Sequence, residues 1–326
     1  MTIRARGLPL ALVGITFRAA RPEDLPACAA IWRDSINDYL GRLNRPEIPD
    51  ELGPLGRLHA HTQATDPDRF VVALVPGEGD ERILAFGSAV ERGRIWFLSM
   101  LFVRPEAQGQ GLGRAILERL LPAPTFDGVL ATAIDSLQPI STALYARYGI
   151  APRMPIGDLR GEVDRPDAFP DLPDGVVAIP FESIADGPPA SPGHRALAEQ
   201  VDALDRELLG ADHPQDHRFL RTEHRRGFLY RGAGGAVLGY GYAGEVGRIG
   251  PIAVRDAALL EPVAGHLIAT VPSRGARAMW VPGAAPGLMP TLLAAGLRID
   301  EFPLLLCWDR PFADFSRYVP ISPGLL

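Results

Sequence analysis

The chain has 326 residues, 47% hydrophobic and 22% charged, with a formal net charge of −6. That length fits about two domains, each with its own core, and the composition is that of a globular protein in water. The acidic balance excludes non-specific nucleic-acid binding, which needs a basic surface, and no apolar run is long enough to span a membrane.

All 33 Lys+Arg residues are Arg, so the chain has no lysine. Cys28 and Cys307 lie far apart in apolar surroundings, with no CxxC or metal-ligand spacing. They read as reduced, buried thiols, and the expected compartment is the cytoplasm. The first thirteen residues place two Arg before a short apolar run that contains Pro9. They read as a flexible leader rather than a signal peptide.

In chain order, the pattern predicts a strand at 15–19 and a helix from Arg21-Pro-Glu-Asp-Leu25 to about Leu40. Its start carries Pro and early acidic residues, and Ala29, Ile31, Trp32 and Ile36 form its apolar stripe. A Pro-rich loop over 44–54 precedes a short helix near 55–65. Strands are predicted at 70–75, 82–91 and 94–103, a helix at 112–121, a strand at 128–134 and a helix at 139–148. The stretch 153–175 is rich in Pro, Gly and Asp; it holds a last strand and then a linker. The second half predicts a strand at 176–181 and helices at 194–209 and 213–225. Strands follow at 228–231, 237–243 and 248–254, then a helix at 257–271, a strand at 276–281, a helix at 286–295 and a strand at 297–309.

The most informative stretch joins the 94–103 strand to the 112–121 helix. It reads Val103-Arg104-Pro105-Glu106-Ala107-Gln108-Gly109-Gln110-Gly111-Leu112-Gly113-Arg114. The first backbone N–H groups of a helix have no intrahelical partner. Their partial charge, with the helix dipole, favours phosphate, and glycine lets the main chain approach an anion closely. A Walker loop is excluded, because it requires Gly-Lys-Ser/Thr. A dinucleotide fingerprint reads G-x-G-x-x-G, with an acidic residue about 20 residues on, early in a βαβ unit; the spacing here is Gln108-x-x-Gly111-x-Gly113. This spacing resembles the acetyl-CoA loop of the GNAT superfamily of N-acetyltransferases. Ala143-Leu144-Tyr145-Ala146-Arg147-Tyr148-Gly149-Ile150 is similar to that family's Leu-Tyr-x-x-x-Gly-Phe element, one helix, one strand and one helix further on. The resemblance covers about residues 14–155.

The resemblance implies an α/β fold, each domain a central mixed, largely antiparallel sheet flanked by helices. It implies acetyl-CoA as co-substrate, held by Gln108, Gly109, Gln110, Gly111, Leu112, Gly113 and Arg114. Leu101, Phe102 and Val103 would pair with the pantetheine arm, and a main-chain N–H near Leu101 or Phe102 would polarise the thioester carbonyl. Tyr145 matches the family's general acid; a phenol with reference pKa near 10 keeps its proton at neutral pH. The competing reading of Tyr145 is a helix residue packed on the sheet. The family commonly has Asn after the strand that ends near Asp135; here Ser136 would take that cofactor hydrogen bond. The general base stays open: Glu91 and Asp135 end strands, but both read first as surface or capping residues.

The second half repeats the element order. Leu292-x3-Gly296-Leu297 stands where the first half has Leu144-x4-Gly149-Ile150, but Val254-Arg255-Asp256-Ala257-Ala258-Leu259 replaces the glycine turn. The chain thus resembles a tandem GNAT with a divergent second half. The expected division is a leader (1–13), an acetyl-CoA domain (14–165), a linker (166–175), a divergent domain (176–310) and a C-terminal tail (311–326). His213 and His217, spaced i, i+4, suit zinc on a helix, but the intervening Glu is absent and Pro214 follows the first His. They read as a solvated face, and no metal is expected. His59 and His61 read as surface residues sooner than as a pocket lining. Arg218, Arg221, Arg225 and Arg226 read equally as a carboxylate-binding face or as a balance for Asp202, Asp205, Glu207 and Asp216.

The expected activity is acetyl transfer to a small-molecule amine through a direct ternary complex, by a monomer or homodimer with no nucleic-acid or membrane partner. Asp38, Tyr39, Glu47, Asp50 and Glu51, in and beside the variable 40–68 segment, favour a cationic amine. The rival expectation is a non-catalytic acyl-CoA-binding module whose second half contacts a partner protein.

Overall fold

The computed structural model describes residues 14–76, 81–185, 191–300 and 302–326. The expected leader lies outside the described residues. These residues form two compact units. The first takes in those up to Glu91 and Trp96–Asp127; the second takes in Arg92–Ile95 and Gly128–Leu326.

The first unit runs β1 (Thr16–Ala19), α1 (Leu25–Arg42), α2 (Gly53–Thr65), β2 (Phe70–Pro76), β3 (Glu81–Arg92), β4 (Ile95–Val103) and α3 (Leu112–Leu120). Its sheet order is β1-β2-β3-β4, with β1 and β3 antiparallel to β2. Strand side chains alternate between faces, so the sheet is covered on both sides. On one face Leu25, Cys28 and Ile31 of α1 pack with Phe70, Val72, Leu74 and Phe86, and Met100 and Phe102 lean against the same cluster. On the other face lies α3. A Cβ at Gly87 would stand 2.6 Å from Ile116 Cγ2 and 2.8 Å from Leu120 Cδ1, so only glycine lets α3 sit this close. The Trp96 indole N–H donates to the Leu120 carbonyl at 3.0 Å and fixes the end of that helix.

The second unit continues with β5 (Val129–Asp135), α4 (Pro139–Ala146), β6 (Ala151–Gly161), β7 (Val177–Pro180), α5 (Phe181–Ile184), α6 (Pro192–Leu208), α7 (Pro214–Thr222), β8 (Arg225–Arg231), β9 (Val237–Gly244) and β10 (Arg248–Val254). Then come α8 (Leu260–Thr270), β11 (Arg277–Pro282), α9 (Leu288–Ala294), β12 (Arg298–Ile299), β13 (Leu304–Trp308) and β14 (Tyr318–Val319). The predicted strand over 297–309 is therefore two strands, interrupted where Phe302-Pro303 intervenes. The main sheet order is β5-β13-β6-β11-β10-β9-β8-β7, with β12 on β6 and β14 on β10. Leu260, Val263, Ala264 and Leu267 of α8 pack over Ile249, Ile252, Val254, Met279 and Val281.

Two pairings in this unit join residues far apart in the chain. β13 lies between β5 and β6, antiparallel to both, with Leu304 opposite Asp135 on one side and Ile156 on the other. This pairing holds β5, α4 and β6 with the second half of the chain. β10 is parallel to β11 only at Arg248 and Ile249. Beyond its register shift, Ile252 and Ala253 pair instead with Val319 and Tyr318 of β14. The 311–326 segment is thus part of the second unit's sheet and core, with Phe315, Tyr318, Val319, Ile321, Leu325 and Leu326 buried.

Candidate functional site

The glycine turn lies in the first unit. Val103 ends β4 with its carbonyl accepting from Ser35 Oγ at 2.9 Å and Gln108 Nε2 at 3.1 Å. Arg104 returns its N–H to the Leu84 carbonyl and pairs with Asp34 of α1 at 3.3 Å. A single 3-10 turn over Pro105–Ala107 then lifts the chain toward α3. Gly111 is the N-cap of α3 with φ +87°, and no side chain caps the helix. The first intrahelical bond runs from the Ala115 N–H to the Gly111 carbonyl, so the Leu112 and Gly113 amides precede it and have no intrahelical acceptor. Gly109 has φ +76°, and a Cβ there would meet nothing within 4 Å. The turn is an open, positively polarised concavity of main chain.

The predicted cofactor residues divide by role. Gln108, Gly109, Gln110 and Arg114 are exposed and Gly111 and Gly113 half-buried. Leu112 is buried under the helix, which leaves only its main chain for a ligand. Arg114 pairs with Glu118 at 2.9 Å. Leu101, Phe102 and Val103 are half-buried. Phe102 stacks on Phe86 and meets Trp32 edge-on.

Tyr145 and Ser136 lie in the second unit. Ser136 is half-buried in the turn between β5 and α4. In the same turn Asp135 accepts the Leu137 N–H at 2.8 Å, a capping role. Tyr145, in α4, is 5% exposed. Burial pushes its phenol well above the ordinary tyrosine range, against a hydrogen bond to Ser141 one turn earlier. It holds its proton at neutral pH. Glu91, the other candidate base, is ion-paired with Arg69, and its N–H bonds to Asp66 at 2.9 Å. Of the acidic residues in and beside 40–68, Asp38 is paired with Arg42 and Asp50 with Arg33.

The second unit repeats this frame without the turn. Arg255 follows β10 as Arg104 follows β4: its N–H bonds to the Leu238 carbonyl and its side chain pairs with Glu207 of α6 at 3.2 Å. There the likeness ends. Asp256 accepts the Ala258 N–H at 3.0 Å, so a carboxylate occupies the helix start where an anion would have to sit. Strand β14 pairs with β10 immediately beside this point.

Several expectations are corrected. His59 is not a surface residue; it is fully buried, edge-on to Phe70 and Phe86, with Nε2 3.0 Å from Met100 Sδ. Burial lowers its pKa to about 4. His213 and His217 are not a solvated face either. Both are buried with Asp205 and Asp216, so these two carboxylates do not balance a surface row of Arg. The i, i+4 spacing of the histidines was visible in the sequence. Their burial depends on Tyr240, Tyr242 and Tyr318, which come from distant strands. His217 Nε2 is 2.7 Å from Asp205 Oδ2 and its Nδ1 is 3.0 Å from the Tyr242 hydroxyl. The Tyr240 hydroxyl donates to Asp205 Oδ1 at 2.5 Å. Burial alone would push His213 down, but the Asp205 and Asp216 carboxylates raise its pKa to about 10.

Residues 32–150 match the Acetyltransferase (GNAT) family. A search of curated proteins finds no match. Among solved structures, the chain is similar over 96% of its length to 96% of an acetyltransferase candidate from Pyrococcus horikoshii, at TM-score 0.69 and 14% identity. It matches a GCN5-related N-acetyltransferase from Sphaerobacter thermophilus over 95% of this chain and 100% of that one, at TM-score 0.59 and 19% identity. A tandem GNAT protein from the clavulanic acid biosynthesis pathway matches over 91% of this chain and 99% of that one, at TM-score 0.53 and 16% identity. At these identities the likeness is one of fold. No helix among the described residues is long and apolar enough to cross a membrane.

Proposed function

We propose, because residues 32–150 match the Acetyltransferase (GNAT) family, that the chain is an acetyl-CoA-dependent N-acetyltransferase acting on a small amine in a direct ternary complex. The observation that carries this reading is the start of α3: a left-handed Gly111 as N-cap, no capping side chain, and open space over Gly109. A helix start stripped of its own cap is suited to a pyrophosphate. The capped helix start at Asp256 is not, which supports the first half as the working one.

Acetyl transfer makes an amide from an amine and a thioester and releases a thiol. The main chain of Gln108–Gly113 holds the phosphates, and the edge of Leu101–Val103 aligns the arm. A backbone N–H at Leu101 or Phe102 polarises the reacting carbonyl, where such a donor is worth a few kcal/mol. Tyr145 supplies the proton taken up by the leaving sulfur; burial keeps its phenol protonated at neutral pH, and the donation has to work against that burial. The amine gives up its own proton to water or a carboxylate. With Asp38 and Asp50 already paired to Arg42 and Arg33, the preference for a cationic acceptor rests on the exposed Glu47 and Glu51.

The test is calorimetric titration of acetyl-CoA into the full chain and into Gly111→Glu, followed by thiol release with a panel of amines. One site per chain, lost in the variant, with thiol release on an amine, is the expected result. Binding lost in the variant but no turnover with any amine would favour the acyl-CoA-binding module. Equal binding by both proteins would overturn the cradle assignment.

A further inference from the structure

The buried cluster of the second unit lies outside the residues assigned above to acetyl transfer. Asp205 comes from α6, His213 and His217 from the start and body of α7, Tyr240 and Tyr242 from one face of β9, and Tyr318 from β14. Asp205, His213 and His217 are at most 3% exposed. Asp205 Oδ2 is 2.7 Å from His217 Nε2 and 3.4 Å from His213 Nε2. One ligand atom from each of the three residues lies within 4.8 Å of the others. The Tyr318 hydroxyl is 3.5 Å from the same His213 Nε2.

We propose that Asp205, His213 and His217 form a buried binding site for a divalent transition-metal ion of the zinc type, with the Tyr318 hydroxyl facing the fourth position. Two imidazole nitrogens with one carboxylate oxygen are a zinc donor set rather than one for magnesium or calcium. With bonds of about 2.0–2.2 Å, ligand atoms on a tetrahedral ion stand about 3.3 Å apart. The His213–Asp205 spacing already matches that, and the His217–Asp205 contact opens by a few tenths of an ångström.

The atoms behind the ligands point the same way. A ligating carboxylate or imidazole is ordinarily held by a partner on its other polar atom. Asp205 Oδ1 accepts from Tyr240, and His217 Nδ1 meets the Tyr242 hydroxyl. His213 Nδ1 faces Asp216 Oδ2 at 3.4 Å yet makes no hydrogen bond. Asp216 is itself gripped by Arg92. A buried imidazole N–H left unmade is costly; turning His213 onto an ion through Nε2 sets its Nδ1–H on Asp216. Two buried carboxylates face one buried guanidinium, leaving one negative charge that a proton on His213 meets in the metal-free cluster and that a bound cation would meet in its place. A divalent cation there would tie α6, α7, β9 and β14 together, and its binding energy would be folding energy.

The experiment is to strip the full-length protein with a chelator, add zinc chloride, dialyse, and measure metal content and melting temperature. The expected result is about one zinc per chain and a melting temperature that rises with zinc concentration. Asp205→Asn should lose both, and His194→Gln, outside the cluster, should lose neither. No retained zinc and an unchanged melting temperature in the wild type would overturn the proposal, leaving the cluster a hydrogen-bonded charge network. Zinc retained equally by Asp205→Asn would also overturn it. Should that variant fail to fold, cobalt(II) loaded into the wild-type chain decides. The intense visible absorption of a four-coordinate nitrogen–oxygen site supports the proposal; a weak octahedral spectrum, or none, rejects it.

Discussion

Arg92 and Asp216 form a two-pronged ion pair, Nε to Oδ2 at 2.7 Å and one terminal nitrogen to Oδ1 at 2.9 Å, with side chains only 5% and 2% exposed. They are 124 residues apart in the chain. Removing one partner of a buried pair strands the other charge, at a cost of about 3–5 kcal/mol. Arg92→Ala should therefore lower the unfolding free energy by that amount, read as a lower urea midpoint at an unchanged slope. Arg92→Met combined with Asp216→Leu should recover much of the loss. A double variant no better than the single one would show that the pair does more than neutralise itself.

Tyr145→Phe keeps the buried ring and removes the proton. Loss of a general acid commonly slows the chemical step by about a hundredfold or more. Steady-state kinetics on an accepted amine should show kcat falling by roughly that factor, with the KM for acetyl-CoA little changed. An unchanged kcat would assign Tyr145 to packing alone.

Asp256→Ala removes the N-cap of the 3-10 turn Ala257–Leu259 that leads into α8. The loss of such a cap costs about 1 kcal/mol, measurable as a lower melting temperature. Acetyl-CoA affinity should not change. A marked loss of affinity would mean that the second half takes part in cofactor binding.

Asp24 sets an acid limit on the first unit. Burial tends to raise its pKa, but two bonds from Arg18, at 2.5 and 3.0 Å, and the Arg21 N–H at 2.7 Å outweigh burial and hold it below the ordinary value. A carboxylate whose folded pKa is depressed stabilises the fold above its unfolded pKa near 3.9 and loses that contribution as pH falls through the lower folded value. Asp24→Asn should thus be less stable than wild type at pH 7, and the gap should narrow below about pH 4. A gap that stays constant on acidification would assign the effect to hydrogen-bond geometry rather than charge.

The sequence by itself determined most of the elements and the glycine turn, because both are local; β14 and the split of 297–309 into two strands were not among them. The short apolar run of 70–75 and the β-turn at Arg92-Gly93 place strands because a fully buried strand reads as a continuous apolar stretch. Gly111 marks the start of α3 because an uncapped helix entered through left-handed backbone favours glycine. In the second half the sequence shows only that Val254–Leu259 lacks the glycine turn; the cap from Asp256 appears in the structure. Burial of polar residues was not legible, because it depends on what the rest of the chain brings to them. His59 is short-range polar and long-range apolar: Phe70, Phe86 and Met100 close over it. His213 and His217 sit in a segment whose Asp and Arg neighbours read as solvated, and only Tyr240, Tyr242 and Tyr318 enclose them. The placements of β13 between β5 and β6 and of β14 on β10 were likewise decided by tertiary structure. Main-chain hydrogen bonds do not depend on side-chain identity, so nothing in Leu304–Trp308 or Tyr318–Val319 names the strands they pair with. Chain closure and the available sheet edges do.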